Sequence, residues 1–406
     1  MKYHLFEVYG IELEYMLVRK KSLKVNPIVD QLLTKKNGTL TADIDNGKIE
    51  WSNELVAHVL ELKTNGPTEI LEDLDGLFAE NIQEINSLLE EFDTSLLSSA
   101  SHPLMLPKTE TQLWKHSYSK IYALYNRIFD CSGHGWSNVQ SMHINLPFFN
   151  DAEFEKLHAA VRILLPIIPG LSASSPIFEG SPTGFMDSRL EVYKTNQKEI
   201  PQMTGKVIPE QVFTKEDYYQ KIFKPINSAI KAFDTENILD HHFLNSRGAI
   251  ARFDRNAIEI RVIDIQECPA ADIALAILIV ESLKLLVSGE LIAIEELKKW
   301  HEDELFDIFN KVIRDAEETR IQNEAYLAVF GIKEEASVKQ IWGRLYEKLQ
   351  IRISAKHQQN IEYILENGSL STRILRKLDG DFSEEKIKKV YSELGECLAN
   401  NQLFKV

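Results

Sequence analysis

Four short segments, far apart in the chain, alternate apolar residues with acidic, histidine or arginine residues. The first is Gly10-Ile11-Glu12-Leu13-Glu14-Tyr15, continued by Met16-Leu17-Val18. Strict alternation has the period of a β-strand, in which residues i and i+2 share a face. Glu12 and Glu14 therefore stand side by side, with Ile11, Leu13 and Tyr15 opposite. Two carboxylates this close repel each other unless a cation lies between them. The second segment is Asn53-Glu54-Leu55-Val56-Ala57-His58-Val59-Leu60-Glu61-Leu62-Lys63-Thr64. Glu61 interrupts its apolar run, where an unpaired charge is costly. The spacing puts Glu54 and Glu61 on opposite faces of one regular strand. If both serve one site, Glu54 must lie on a loop or bend before the strand. The third, Ser141-Met142-His143-Ile144-Asn145-Leu146, puts Ser141, His143 and Asn145 on one polar face. The fourth, Ile258-Glu259-Ile260-Arg261-Val262, puts Glu259 and Arg261 together, with Arg252 and Arg255 close in sequence.

Each segment alone has an ordinary reading. Glu12 and Glu14 fit a solvated strand face, and Glu61 a salt bridge to a lysine or arginine. Glu54 fits an exposed position, His143 a structural hydrogen bond, and Glu259 with Arg261 a surface ladder. Together they constrain the fold more strongly. One antiparallel sheet with a polar face could gather Glu12, Glu14, Glu61, His143 and Glu259. Oxygen ligands with one imidazole suit Mg²⁺ or Mn²⁺ better than a structural zinc. Divalent cations beside arginines are what phosphoryl transfer from ATP requires.

The rest of the chain predicts what surrounds that sheet. Leu71, Leu74, Leu77, Phe78, Ile82, Ile85, Leu88 and Leu89 recur at helical spacing. Helices are also expected over 113–129, from a cap at Asp151, over 272–287, through Ile294 to Val312, over 338–349 and after Ser383. Residues 172–215 are dense in Ser, Pro, Gly and Thr and predict a long loop, which in a compact domain is functional or disordered. Gly248 to Asp264 predicts a hairpin turning at Asp254, Arg255 and Asn256. Strands mixed with helices, then helices alone, predict an α+β catalytic region over 1–290 and a helical C-terminal region over 291–406 packed on it.

Composition removes several classes. The chain has 406 residues, with 46 basic and 61 acidic side chains for a net charge of −15. A basic nucleic-acid-binding surface is not expected. Cys131, Cys268 and Cys397 are too few and too scattered for a disulfide framework or a four-cysteine zinc site. The N-terminus has no signal pattern, and the most apolar run, Ile273 to Val280, is too short to span a membrane. A cytoplasmic protein is expected. The sequence holds no GxxxxGK[ST], GxGxxG, GxSxG or HExxH, so P-loop, dinucleotide, hydrolase-elbow and zincin chemistries have no support.

Further pieces follow in order: His102-Pro103, then Leu171-Ser172-Ala173-Ser174-Ser175-Pro176, Gly180, Thr183-Gly184, and Ser188 with Arg189. After Glu259-Ile260-Arg261-Val262 come Asp264 and Asp272, and a weaker piece runs from Gly368 to Arg373. This ordered set resembles the glutamate–cysteine ligase type 2 family of carboxylate–amine ligases, relatives of glutamine synthetase. The resemblance implies a glutamine-synthetase-like antiparallel sheet, curved around the site, with helices outside. It implies that ATP phosphorylates a substrate carboxylate, glutamate in the type reaction, and that an amine such as that of cysteine displaces the phosphate. By position, Glu12, Glu14, Glu54, Glu61, His143 and Glu259 would hold Mg²⁺ or Mn²⁺. Arg261 and Arg189 would act on the transferring phosphate or a substrate carboxylate. Arg252 and Lys63 join them as candidate ATP or substrate contacts. The Ser172–Arg189 segment would form a lid that excludes water. Ser141 stands where the family often has a second histidine. Partners would be small molecules, with neither nucleic acid nor membrane and with homo-oligomerisation left open. Two other readings share the sheet: a guanidino-type phosphotransferase, and a non-catalytic ATP- or metal-binding regulator.

Overall fold

A computed structural model describes residues 2–239 and 241–406. Its centre is an eight-stranded, wholly antiparallel sheet. Six strands come from the first part of the chain: β1 (Gly10–Arg19), β2 (Asp43–Asn46), β3 (Ile49–Asn53), β4 (Val59–Thr64), β5 (Thr94–Leu97) and β6 (Ser141–Pro147). After a two-residue-stranded hairpin, β7 (Ile177–Phe178) and β8 (Ser181–Pro182), the sheet is completed by β9 (Ala249–Arg252) and β10 (Ala257–Asp264). The order is β2-β3-β4-β1-β6-β10-β9, with β5 also paired to β1. The hairpin expected over 248–264 turns at Asn256, in the left-handed region at φ 54°.

The expected alternation decides which face of β1 is covered. Ile11, Leu13, Tyr15 and Leu17 are wholly buried. They belong to one core with Phe78, Ile82 and Ile85 of the helix Leu74–Leu89 and with the helix Pro269–Ser288. That second helix is apolar round most of its circumference, as a helix largely enclosed by others must be, with Glu281 and Lys284 paired on its half-buried stripe. The helices Leu74–Leu89, Asp151–Leu164, Val338–Leu349 and Ala355–Asn367 pack around it. Each fully buried Leu or Ile contributes about 1.5–3 kcal/mol relative to exposure.

The C-terminal helices continue this core. Trp342 donates through Nε1 to the Ile167 carbonyl at 2.8 Å, and Tyr326 through its hydroxyl to Ile163 at 2.8 Å. Arg373 and Glu267 form an ion pair with both side chains fully buried. Gly289, at φ 78°, ends the helix that bridges the two parts. Among the described residues no helix is long and apolar enough to cross a membrane.

Several local expectations change. The helix expected over 113–129 begins only at Ser119. The run from Ile294 to Val312 is two helices, Ile294–Lys298 and Glu302–Asp315. The cap is Asn150, whose side chain accepts from the Glu153 N–H, and Asp151 lies in the first turn. The largest change concerns the expected lid. Residues 172–177 are buried, and Ser174 and Ser175 hydrogen-bond Asp264 at the end of β10. A serine-rich stretch can be buried because its hydroxyls find partners. The part of the segment that projects is the turn around Gly180 to Gly184.

Candidate active site

Strand register brings the six candidate ligands to one region. Glu12 lies opposite His143 on β6 and Lys63 on β4, and Glu14 lies opposite Glu61. On the far side of β6, Glu259 pairs with Asn145. Glu54 falls between the end of β3 and the start of β4, so it is off the strand, as the seven-residue spacing required. Two trios form. Glu12, His143 and Glu259 can each offer an atom within 4.8 Å of the others, and so can Glu14, Glu61 and His143. His143 is common to both.

Hydrogen bonds fix these side chains. His143 Nδ1 lies 2.8 Å from Glu12 Oε2 and Nε2 lies 2.9 Å from Ser141 Oγ. Asn145 donates to Glu12 Oε1 at 2.9 Å. Glu14 Oε2 accepts from the Ser141 N–H at 2.6 Å and from its hydroxyl at 3.0 Å. Ser141 therefore does at this position what a hydroxyl can do: it orients an imidazole and a carboxylate together. Glu61 Oε2 accepts from Ser52 Oγ at 2.8 Å and from Lys63 Nζ at 3.1 Å. Lys63 also reaches Glu50 at 3.1 Å.

Charge crowding shows in the proton affinities. Burial alone would raise Glu12, but the hydrogen bonds from His143 and Asn145 and the charge of Arg261 bring it down to about 2. Burial pushes Glu61 up to about 7, with Glu12 adding to it and Lys63 opposing it. Burial, then Glu61 and Glu14, push Glu54 well above the ordinary carboxylate range. Lys63, Arg261 and Arg252 do not together neutralise Glu12, Glu14, Glu54, Glu61 and Glu259, so this donor set fits divalent cations.

Three arginines flank the cluster in different ways. Arg261 Nε is 3.1 Å from Glu259 Oε1. Arg252 Nη1 is 3.6 Å from Glu259 Oε2 and its Nη2 is 2.9 Å from Asp254. Arg189 is placed differently from what the resemblance implies for it. Its side chain is 3% exposed, its Nε is ion-paired to the wholly buried Asp264, and its Nη1 and Nη2 lie 3.3 and 3.4 Å from the Arg261 carbonyl. It supports the irregular stretch of β10 between Ile260 and Ile263. Lys63, expected as a substrate contact, is held by Glu50, Ser52 and Glu61.

Sequence reasoning missed the hairpin that supplies Ser52 and Glu50. Asn46-Gly47 between β2 and β3 was the available signal, since Gly47 takes φ 78° and Asn-Gly favours tight hairpins.

The comparisons with known proteins agree with the geometry. A model of glutamate-cysteine ligase family 2 (GCS2) matches residues 8–393. An uncharacterised protein of Archaeoglobus fulgidus is 32% identical over 378 residues, 93% of this chain and 95% of its own length. Two proteins provisionally named glutamate–cysteine ligase 2 match over shorter stretches. That of a Bradyrhizobium species is 26% identical over 66% of this chain and 59% of its own. That of Cronobacter sakazakii is 22% identical over 45% and 46%. Among solved structures, the glutamate–cysteine ligase of Francisella tularensis in complex with AMP has a TM-score of 0.58 at 13% identity, over 97% of this chain and 88% of that one. A bifunctional glutathione synthetase from Pasteurella multocida has a TM-score of 0.60 at 13% identity, over 98% and 52%. At such identities these likenesses show the fold, an α+β, glutamine-synthetase-like antiparallel sheet flanked by helices. With the family model covering nearly all of its length, the chain belongs to glutamate-cysteine ligase family 2.

Proposed function

We propose that the protein is an ATP-dependent carboxylate–amine ligase that activates a carboxylate, glutamate in our reading, as an acyl phosphate and transfers it to an amino-acid amine such as that of cysteine. Family membership supports the ligase class. The observation that carries the reading is the pair of carboxylate trios sharing His143, set beside Arg261 and Arg252.

A carboxylate is a poor electrophile, so amide formation needs a better leaving group than oxide. In the first step a carboxylate oxygen bonds to the γ-phosphorus of ATP as the bond to ADP breaks. In the second the amine nitrogen bonds to the acyl carbon, phosphate leaves, and the nitrogen gives up a proton. No enzyme nucleophile is needed. Bound divalent cations would neutralise the polyphosphate and polarise the transferring group. Glu12 and Glu259 would hold one, and Glu14, Glu61 and Glu54 with the single free nitrogen of His143, Nε2, another. The Glu12 hydrogen bond to His143 Nδ1 orients the imidazole and leaves Nε2 facing Ser141, a neutral hydroxyl that can yield its place. Arg261 and Arg252 stabilise charge spread over phosphoryl oxygens. Arg189 acts through Arg261, by holding its carbonyl.

The test is phosphate release with ATP and Mg²⁺ across pairs of amino acids, followed by product mass. Amide product with matching phosphate is expected, and Glu12→Gln and Glu259→Gln each reduce it at least a hundredfold. Unchanged turnover in both variants refutes the site. Phosphoryl transfer without amide would favour a guanidino-type phosphotransferase. No thermal stabilisation by millimolar Mg·ATP would favour a non-catalytic protein.

A further inference from the structure

A cleft of about 690 Å³ lies apart from the carboxylate cluster. One wall is the projecting turn, from Pro182 to Met186. The other is the end of the helix Glu302–Asp315 and the residues that follow it, and Leu375 comes from the helix Leu370–Leu378. None of the lining residues belongs to either carboxylate trio or is one of the arginines beside them. The volume is that of a small-molecule site.

The lining joins apolar surface to charges without partners. Pro176, Phe185, Met186 and Leu375 supply the apolar part. Lys311, Glu318 and Arg320 are exposed and make no ion pair among the described residues. Arg314 and Asp315 are paired with each other at 2.8 Å. A smaller cleft of about 280 Å³, at Asp30, Gln31, Thr34 and Lys35, lies on one helix, and its lysine is already paired with Glu91. Between Asp315 and Glu318 the wholly buried Ala316 takes φ 43° and ψ −126°, which L-residues rarely adopt. Such backbone persists where packing imposes it and is concentrated at ligand clamps and switches.

The two walls are tied to each other and to the support of Arg261. Met186 and Asp187 donate their N–H groups to the Arg314 and Ile313 carbonyls at 3.1 and 2.9 Å. The Asp187 side chain accepts from the Leu190 N–H at 2.8 Å and caps the helix Ser188–Tyr193. Arg189 on that helix is paired with Asp264 and lies against the Arg261 carbonyl. A ligand that draws Phe185 and Met186 against the opposite wall therefore acts on the cap of the helix that supports Arg261.

We propose that this cleft is a second, regulatory site for a zwitterion with two carboxylates and one ammonium group, the γ-glutamyl dipeptide that the ligation would form. This rests on the ligase reading above. Joining glutamate through its side-chain carboxyl to an amino acid leaves the donor's α-carboxylate and α-ammonium and the acceptor's carboxylate. Lys311 and Arg320 match the two carboxylates, and Glu318 the ammonium. The acceptor's side chain covers Phe185 and Met186. Free glutamate carries the same charges but has no such part.

The experiment uses the full chain and γ-glutamylcysteine, with glutamate as the control. Lys311→Gln/Arg320→Gln and, separately, Glu318→Gln are compared with the parent. These side chains are exposed, so kcat, the KM values and the thermal midpoint without dipeptide should match the parent's. Added dipeptide should lower the parent's kcat at saturating glutamate, because it acts through Arg261 rather than by displacing substrate. Each variant should need roughly ten times more dipeptide for the same effect, the loss expected of charged contacts at an open surface. Inhibition that saturating glutamate abolishes overturns the proposal, as does equal sensitivity in parent and variants. So does turnover unchanged by millimolar dipeptide, or a variant whose kinetics without dipeptide have already changed. If glutamate in excess inhibits the parent and spares the variants to the same extent, the dipeptide assignment is overturned. A parent protein that forms no amide refutes the ligase reading. A parent that turns over and is insensitive to the dipeptide refutes this inference alone.

Discussion

Arg189→Met tests whether this arginine touches phosphate or builds the strand that does. Asp264 is wholly buried and accepts from the Ser174 N–H at 2.8 Å and the Ser175 hydroxyl at 2.9 Å, but its charge is balanced by Arg189. A second carboxyl, Asp187, is close enough that burial and then Asp264 hold it well above its ordinary range. Methionine fills much of the arginine stem and removes the charge, stranding the Asp264 carboxylate. Breaking one partner of a buried pair costs about 3–5 kcal/mol. Adding Asp264→Asn removes the stranded charge, so the double variant should lose about 1–3 kcal/mol less than the two single losses summed. Urea unfolding reads this as a lower midpoint at unchanged slope. Turnover of Arg189→Met should fall while Mg·ATP still raises its midpoint, because Arg261 is displaced and the carboxylate trios are not. One result would refute this reasoning. If Arg189→Met loses about 1 kcal/mol or less, as an exposed pair would, and ATP affinity collapses, then Arg189 contacts phosphate directly.

Two further outcomes follow from the charges. Glu54→Gln removes a carboxylate crowded by Glu61 and Glu14, so without metal at pH 8 the variant should unfold at a higher temperature than the parent, while its Mg²⁺-induced rise shrinks. A lower midpoint in metal-free buffer would contradict the crowding. His102 is held at about 4 by burial, close to His58, which burial and then His102 hold at about 4. A histidine depressed from 6.5 stabilises the fold above pH 6.5, and that stability is lost as pH falls through 4. The parent's advantage over His102→Gln should therefore shrink by about 3 kcal/mol between those limits. An advantage independent of pH would show that His102 is not kept neutral.

Alternation along β1, β6 and β10 was enough to put Glu12 with Glu14, His143 with Ser141, and Glu259 with Arg261 on one face of each strand, because a strand's period is two whatever surrounds it. The odd spacing of Glu54 and Glu61 likewise required a bend, and the chain leaves the sheet at Glu54. Absent motifs and a −15 charge excluded whole chemistries. Residues 172–177 went the other way. Ser, Pro and Thr density suggests exposure, yet these residues are buried, since Asp264 at the end of another strand accepts their donors.

The sequence by itself therefore determined the strand faces, the α+β class and which acidic, histidine and arginine side chains were candidates for one site, all of which depend on local period and residue type. Only the tertiary structure decided the rest. Register set Glu14 against Glu61 and His143 between two carboxylate trios. Packing paired Arg189 with the buried Asp264 and set its Nη atoms against the Arg261 carbonyl. The physical reason is one of distance. Local pattern fixes where a side chain points, but a charge's partner, hydration and proton affinity depend on groups brought within a few ångströms by residues remote in sequence.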